Sequence, residues 1–344
     1  MQHEITGAGT LLDERGRLRE AGFSKRELLS YDRNSVRASR LRIKEWDYYL
    51  VSNDRYAVAL TVSDNGYMGL MSASLLNFEQ VNHHTASTLA ILPLGKLNMP
   101  ASSQTGDVRF ENKKCRYSFE ITGAGRHLQC EVASFRDGKP FTCDLLLTDE
   151  PEDSMVIATP FFGKHTAFYY NRKIVGMRAS GSAQFDGRVY EFLPENSFGT
   201  LDWGRGVWTY ANTWYWSSAS GLVDGVSFGF NLGYGFGNTK AASENMLFYN
   251  GRAHKLGNVV FNIPKDSDDR HDLLKSWAIG SDDGRVNLHF FPILDRSAFI
   301  SALLVSSDQH QVFGRFSGTV TLDDGKIIKL RDFVGFAEKV KNRW

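Results

Sequence analysis

Long apolar runs are missing from this 344-residue chain. No window approaches the ~20 consecutive apolar residues that a membrane-spanning helix needs. The opening stretch MQHEITGAGTLLDERGRLRE is charged throughout and holds no apolar signal-peptide core. These absences lead us to expect a soluble, cytoplasmic protein without a transmembrane segment. An excess of one charge is missing too, since 40 basic and 39 acidic residues leave a net charge of +1 without a run of like charges. Nucleic acid and anionic membrane surfaces both require a basic patch, so neither is expected as a partner.

Cysteine is scarce. Cys115, Cys130 and Cys143 form no C-x-x-C pair, and an odd count in such a chain reads as buried free thiols. His83 and His84 adjoin in a polar stretch that reads as a loop, and on a strand they would face opposite ways, while His165, His289 and His310 stand alone. A metal site needs three or four converging ligands, so no metal is expected. Gly7/Gly9, Gly123/Gly125 and the loop GYGFGNTKAA lack the βαβ context of a nucleotide fingerprint. The run SSASG lacks the leading glycine of a nucleophile elbow. No cofactor is expected. Helical patterning is sparse as well, confined to KRELLSYDR (25–33) and SDDRHDLLKSW (267–277), the latter reading equally as a loop.

What the chain has in abundance is alternation. In VSFGFNLGYGF, Val226, Phe228, Phe230, Leu232, Tyr234 and Phe236 alternate with small or polar residues, which places the rings on one face of a strand. YAVALTV, HLQCEV and RVNLHF repeat the pattern. Between such runs stand turn signals: Asp64-Asn65-Gly66, Asp137-Gly138, Asp186-Gly187, Asp224-Gly225, Asp283-Gly284 and Asp324-Gly325. Asp and Gly supply the positive φ of tight hairpins. The fold class expected is all-β.

An internal repeat organises these strands. SGSAQFDGRVYEF (180–192) aligns with SGTVTLDDGKIIKL (317–330). Downstream, Gly199 and Asp202 share the spacing of Gly335 and Glu338, and the further step from Asp202 to Trp208 equals that from Glu338 to Trp344. Upstream, FEITGAGRHLQCEV (119–132) resembles WAIGSDDGRVNLHF (277–290), and Trp46 precedes its strand as Trp214 does. The repeat predicts an N-terminal extension (1–44), a first β-barrel (45–208) and a second (209–344), with 199–208 bridging the halves. Closure into barrels removes exposed strand edges.

The segments RIKEWDYYLVSNDRYAVALTV, LDWGRGVW, WYWSSASG, GFNLGYGFG, SENMLFYNGRAHKL and QHQVFGRFSGTVTLDDG resemble domain-of-unknown-function family 2804 over nearly the whole chain. That family is similar in design to the calycin-like (lipocalin-like) double barrels of carotenoid hydratases and tocopherol cyclases. The resemblance implies two such antiparallel barrels, or curved β-sandwiches, related by a pseudo-repeat. Those enzymes carry a Trp-x-Asp-type motif where this chain reads Leu201-Asp202-Trp203-Gly204-Arg205, with the order of Trp and Asp changed.

Two segments hold the candidate chemistry. In LDWGRGVW, Asp202 is either an acid desolvated between Trp203 and Trp208 or half of a structural ion pair with Arg205, and the copy at Glu338 favours the structural role. SENMLFYNGRAHKL has no counterpart in the first half. A hairpin through Asn250-Gly251 would set Glu244 opposite His254 as an acid–base pair, beside Asn245. The aromatic cluster WTYANTWYW contributes Trp214 and Trp216, which with Tyr234 would wall an apolar pocket. Asp202, Glu244 and His254 are thus the candidate catalytic residues, and Trp203, Trp208, Trp214, Trp216, Tyr234 and Asn245 the candidate ligand contacts. Three functions fit: a binding protein for an apolar, lipid- or terpenoid-like molecule; a cofactor-independent hydratase, isomerase or cyclase using a buried carboxylic acid; and a scaffold with filled barrels.

Overall fold

A computed structural model describes residues 2–302 and 305–343. Apart from two single-turn 3-10 segments, Arg33–Ser35 and Arg40–Arg42, its regular elements are strands. Neither helical expectation holds. Leu29–Ser30 pairs in parallel with Gly9–Thr10, burying Leu29. In 267–277, the Asp266 carboxylate accepts the backbone N–H groups of Asp268 and Arg270, and this local turn displaces a helix before the strand Trp277–Ser281 begins.

Beyond that small parallel pair, two curled antiparallel sheets make up the body of the molecule. The first runs, in spatial order, through Asn82–Ile91, Met68–Asn77, Tyr56–Asp64, Ile43–Ser52, Phe198–Val207, Lys164–Phe185, Lys139–Thr148, Gly125–Arg136, Cys115–Thr122 and Val108–Glu111. The second runs through Arg252–Lys255, Met246–Tyr249, Val226–Tyr234, Ala211–Val223, Ile327–Arg343, Val305–Thr321, Val286–Ala302, Trp277–Ser281 and Val259–Asn262. Counted outward from Phe198–Val207 and from Ile327–Arg343, the order of chain connections is the same, as the repeat requires. The turns form as their residues dictate: Asp137-Gly138, Asp186-Gly187 and Asp224-Gly225 all take positive φ.

The repeat is exact at Gly181 and Gly318. Both have positive φ (118° and 139°) and pair with Leu145 and Leu288 in equivalent strands. The match of 119–132 to 277–290 is one strand out, because the hairpin Trp277–Ser281/Val286–Ala302 holds the place of Gly125–Arg136/Lys139–Thr148. A strand–turn–strand pattern is common to every hairpin and carries no register of its own. The spacing to Trp344 lies outside the described residues.

Each sheet wraps its own apolar core. Leu60, Phe119, Leu128, Phe168 and Trp203 belong to one, Phe230, Leu247, Trp277, Phe290 and Phe316 to the other. Two further clusters join the sheets, one around Trp208, Phe236 and Met246, the other around Tyr48, Trp216, Phe313 and Phe336. Residues 198–207 do not bridge the halves. They form a central strand of the first sheet, buried along its whole length between Ile43–Ser52 and Lys164–Phe185. Part of the N-terminal extension also joins that sheet, since Gly22–Ser24 pairs with Met155–Phe161.

Candidate functional site

Strand alternation splits LDWGRGVW between two environments. Leu201, Trp203 and Val207 enter the first core, while Asp202 and Trp208 face the second sheet. There a cavity of about 200 Å³ opens between the sheets, lined from both sides. Its apolar wall is a ring cage. Phe236 meets Tyr169, Trp208 and Trp214 edge-on with centroids 4.9, 4.9 and 5.2 Å away, and Trp46 lies 5.2 Å from Trp208.

The polar side is built by register. Asp202 sits between Tyr48 and Lys173 on neighbouring strands, and Glu338 between Trp216 and Gln311. Trp46 Nε1 donates to Asp202 Oδ2 (3.2 Å), and in the second copy Trp214 Nε1 donates to Glu338 Oε1 (2.9 Å). The repeat therefore brings two tryptophan–carboxylate pairs to one cavity. They differ in their third partner. Asp202 Oδ1 accepts from Lys173 Nζ (3.0 Å) and Asn171 Nδ2 (2.6 Å). Glu338 Oε2 accepts only from a neutral amide, Gln311 Nε2 (3.0 Å), whose Oε1 takes the Tyr48 hydroxyl across the sheet interface (3.2 Å).

Glu244 completes the group, reaching over Gly233, with Oε2 3.9 Å from Lys173 Nζ and accepting from Asn231 Nδ2 (3.3 Å). Lys173 is thus buried between two carboxylates, Asp202 and Glu244, and lies 3.9 Å from the Trp216 ring centroid. Burial pushes the Glu338 carboxyl up to about 7 against the opposing pull of its Trp214 hydrogen bond and of the Lys173 and Arg296 charges. Burial also raises Glu244, opposed chiefly by Lys173. The arrangement places a carboxyl that burial brings to titrate near neutrality beside a carboxylate paired with a cation.

Of the residues singled out in the sequence, Asp202, Trp208, Trp214, Trp216 and Glu244 line this cavity. The others are placed elsewhere. Asp202 and Arg205 are not partners: three residues apart on a strand, they face opposite sides, and Arg205 pairs with Asp47 (3.0 Å). Trp203 packs edge-on against Tyr170 in the first core, with the Arg205 guanidinium 4.3 Å from its ring centroid. His254 stands opposite Leu247 rather than Glu244, because Glu244 precedes the strand, and its ring meets Asp323 (3.2 Å). Tyr234 stacks on Tyr215 at 4.6 Å. Asn245 ties the loop together, accepting from Gly233 N (2.6 Å) and donating to Gly257 O (3.0 Å).

Lys173, Gln311 and Arg296 were not singled out. Lys173 had a signal: in FYYNRKIVG, Asn171 and Lys173 interrupt the face of an otherwise apolar strand. Among the described residues no group of three or more His, Cys, Asp or Glu is arranged to hold a metal ion, and no helix is long and apolar enough to cross a membrane.

Two solved structures share the architecture. One is a protein of Nitrosomonas europaea provisionally named AttH, 12% identical, covering 92% of this chain and 96% of its own, with a TM-score of 0.55. The other is kievitone hydratase from Nectria haematococca, 12% identical, covering 88% of each chain, with a TM-score of 0.50. At such identities the likeness concerns the fold alone. No curated protein matches the sequence. The model of one family, described as a domain of unknown function, matches residues 2–344, and the chain belongs to that family, DUF2804.

Proposed function

We propose that this protein is a cofactor-independent acid–base enzyme of the hydratase, isomerase or cyclase kind, acting on a small unsaturated molecule held in the cavity between the sheets. The observation that carries the reading is the placement of Glu338. Its oxygens accept from two neutral donors, Trp214 and Gln311, in an aromatic-walled cavity, so burial keeps a proton on it near neutral pH. A carboxylic acid so placed can deliver that proton to a carbon–carbon double bond or an enol. The cation formed is shielded by indole faces. Water, a neighbouring double bond or loss of another proton then completes hydration, cyclisation or isomerisation, and a proton returns to the Glu338 carboxylate. Asp202, held by Lys173, is the charged member of the pair and the group suited to orient water.

Size supports a compact substrate. About 200 Å³ falls below the ~300–1,000 Å³ of common ligand pockets, which favours a small ring system over a long isoprenoid chain. That one structural neighbour is a hydratase agrees with this class of chemistry. The test is mass spectrometry of small molecules released from native protein, followed by incubation of the released compound with fresh enzyme in D2O. Carbon-bound deuterium should appear with the wild type and fall at least about a hundredfold with Glu338→Gln, in the range ascribed to general acid catalysis. A compound that returns unlabelled from both would make the protein a carrier and remove the catalytic reading.

A further inference from the structure

One cation at the cavity, Arg296, forms no ion pair among the described residues, although its charge is felt by the Glu338 carboxyl. Arg296 comes from the long strand Val286–Ala302 and stands in register with Gln311, itself in register with Glu338. Its Nη1 donates to Ser74 Oγ of the first sheet (2.9 Å), which fixes the guanidinium across the interface. Its Nε is buried without a hydrogen-bond partner. Among the described residues no ion pair includes Arg296, and the nearby carboxylates are engaged elsewhere. Asp202 meets Lys173, Glu338 meets Trp214 and Gln311, Glu244 meets Asn231, and Asp295 meets His310 Nδ1 (2.6 Å).

A second donor on the same cavity is also unspent. Asn342 is 1% exposed; its Oδ1 accepts from Ser307 (2.7 Å), but its buried Nδ2 has no partner. Buried donors are ordinarily satisfied, because an orphan forfeits its hydration without a replacement partner. Two of them on one cavity wall, one carried by a guanidinium, call for an oxygen acceptor from outside the chain. With Nη1 committed to Ser74, the free edge of Arg296 is Nε with Nη2, the fork that takes a carboxylate through two parallel hydrogen bonds.

We infer that the occupant of the cavity is a small unsaturated carboxylic acid bound as its anion, with Arg296 the residue that selects the carboxylate. This rests on the cavity being the binding site, and it adds the substrate's charge and its direction of entry. The carboxylate lies at Arg296, and the unsaturated body lies against Trp46, Trp214 and Trp216. Arg296 acts in specificity and holds no reacting atom.

Matched probes test this by isothermal titration calorimetry: 2-naphthoate, and 2-naphthamide, which has the same ring and a neutral head. The wild type should bind the acid at least about tenfold more tightly. In Arg296→Gln that ratio should fall to within about twofold of one, with amide affinity changed less than about twofold. Arg296→Lys keeps the charge and loses the fork, and should weaken the acid about three- to tenfold while sparing the amide. It decides the matter should Arg296→Gln not fold. A wild type that binds both probes alike, or an acid preference that survives both substitutions, overturns the assignment of Arg296. Binding of neither probe by the folded wild type removes the cavity as a site, and this inference with it.

Discussion

At Glu338, a single carboxyl links acidity to stability. Its pKa stands at about 7 in the folded chain against an ordinary value of 4.5, so the folded state holds this proton more tightly than the unfolded chain does. The stabilisation that follows is fully present below pH 4.5 and is lost as pH rises through about 7, an effect of roughly 3 kcal/mol. Glu244, raised by burial, pulls in the same direction. Denaturant titrations from pH 4.5 to 8 should therefore show wild-type stability falling with pH and Glu338→Gln following a flatter course. Equal slopes would mean that the carboxyl is solvated in the folded chain. The sequence marked this acid only as the partner of Asp202 in a repeat, and the position itself gave no sign of burial. Desolvation depends on what the opposite sheet places over a residue. Arg296 escapes a sequence reading for the same reason: a cation in a strand looks alike whether it meets water, an acid or a cavity.

Strands and turns were the most legible elements, because their residues must satisfy local geometry before any tertiary contact forms. Asp186-Gly187 and Asp224-Gly225 specify hairpin backbone directly. The shared Ser-Gly of 180–181 and 317–318 marked a site where only glycine fits: a Cβ at either glycine would collide with the facing backbone carbonyl, of Asp144 in one copy and Asn287 in the other. Gly181→Ala and Gly318→Ala should each destabilise by more than about 1 kcal/mol, measurable as a lowered denaturation midpoint. Similar losses in the two variants would bear out their equivalence, whereas a neutral outcome in either would show that the bend relaxes. Where local signals ran out, errors followed. The acid–base hairpin of Glu244 and His254 fails by register, since the turn at Asn250-Gly251 sets His254 opposite Leu247. A slip of this kind moves a side chain to another partner or another face.

On the scale of the molecule, the internal repeat shapes the cavity as well as the two sheets. A motif found once per half was read as structural, on the argument that a site needs residues from one copy. The packing of the sheets brings both copies of the motif to one cavity. Equivalent faces look at each other, so Trp46–Asp202 and Trp214–Glu338 serve the same space. Pairing across two sheets is invisible in a linear sequence, whose repeats show what is equivalent and never what is adjacent. The copies have since diverged: Lys173 in one stands where the other has Gln311, and the indole of Trp46 lies over Gly204 where Trp214 faces Val340. This broken two-fold makes the space handed. A flat molecule entering it meets a proton donor on one side and an ion pair on the other, and turning it over exchanges them. Protonation should therefore reach a single face of a prochiral double bond and leave one enantiomer, as chiral chromatography of the deuterated product would reveal. A racemic product would mean that the molecule tumbles between the two halves as though they were still alike.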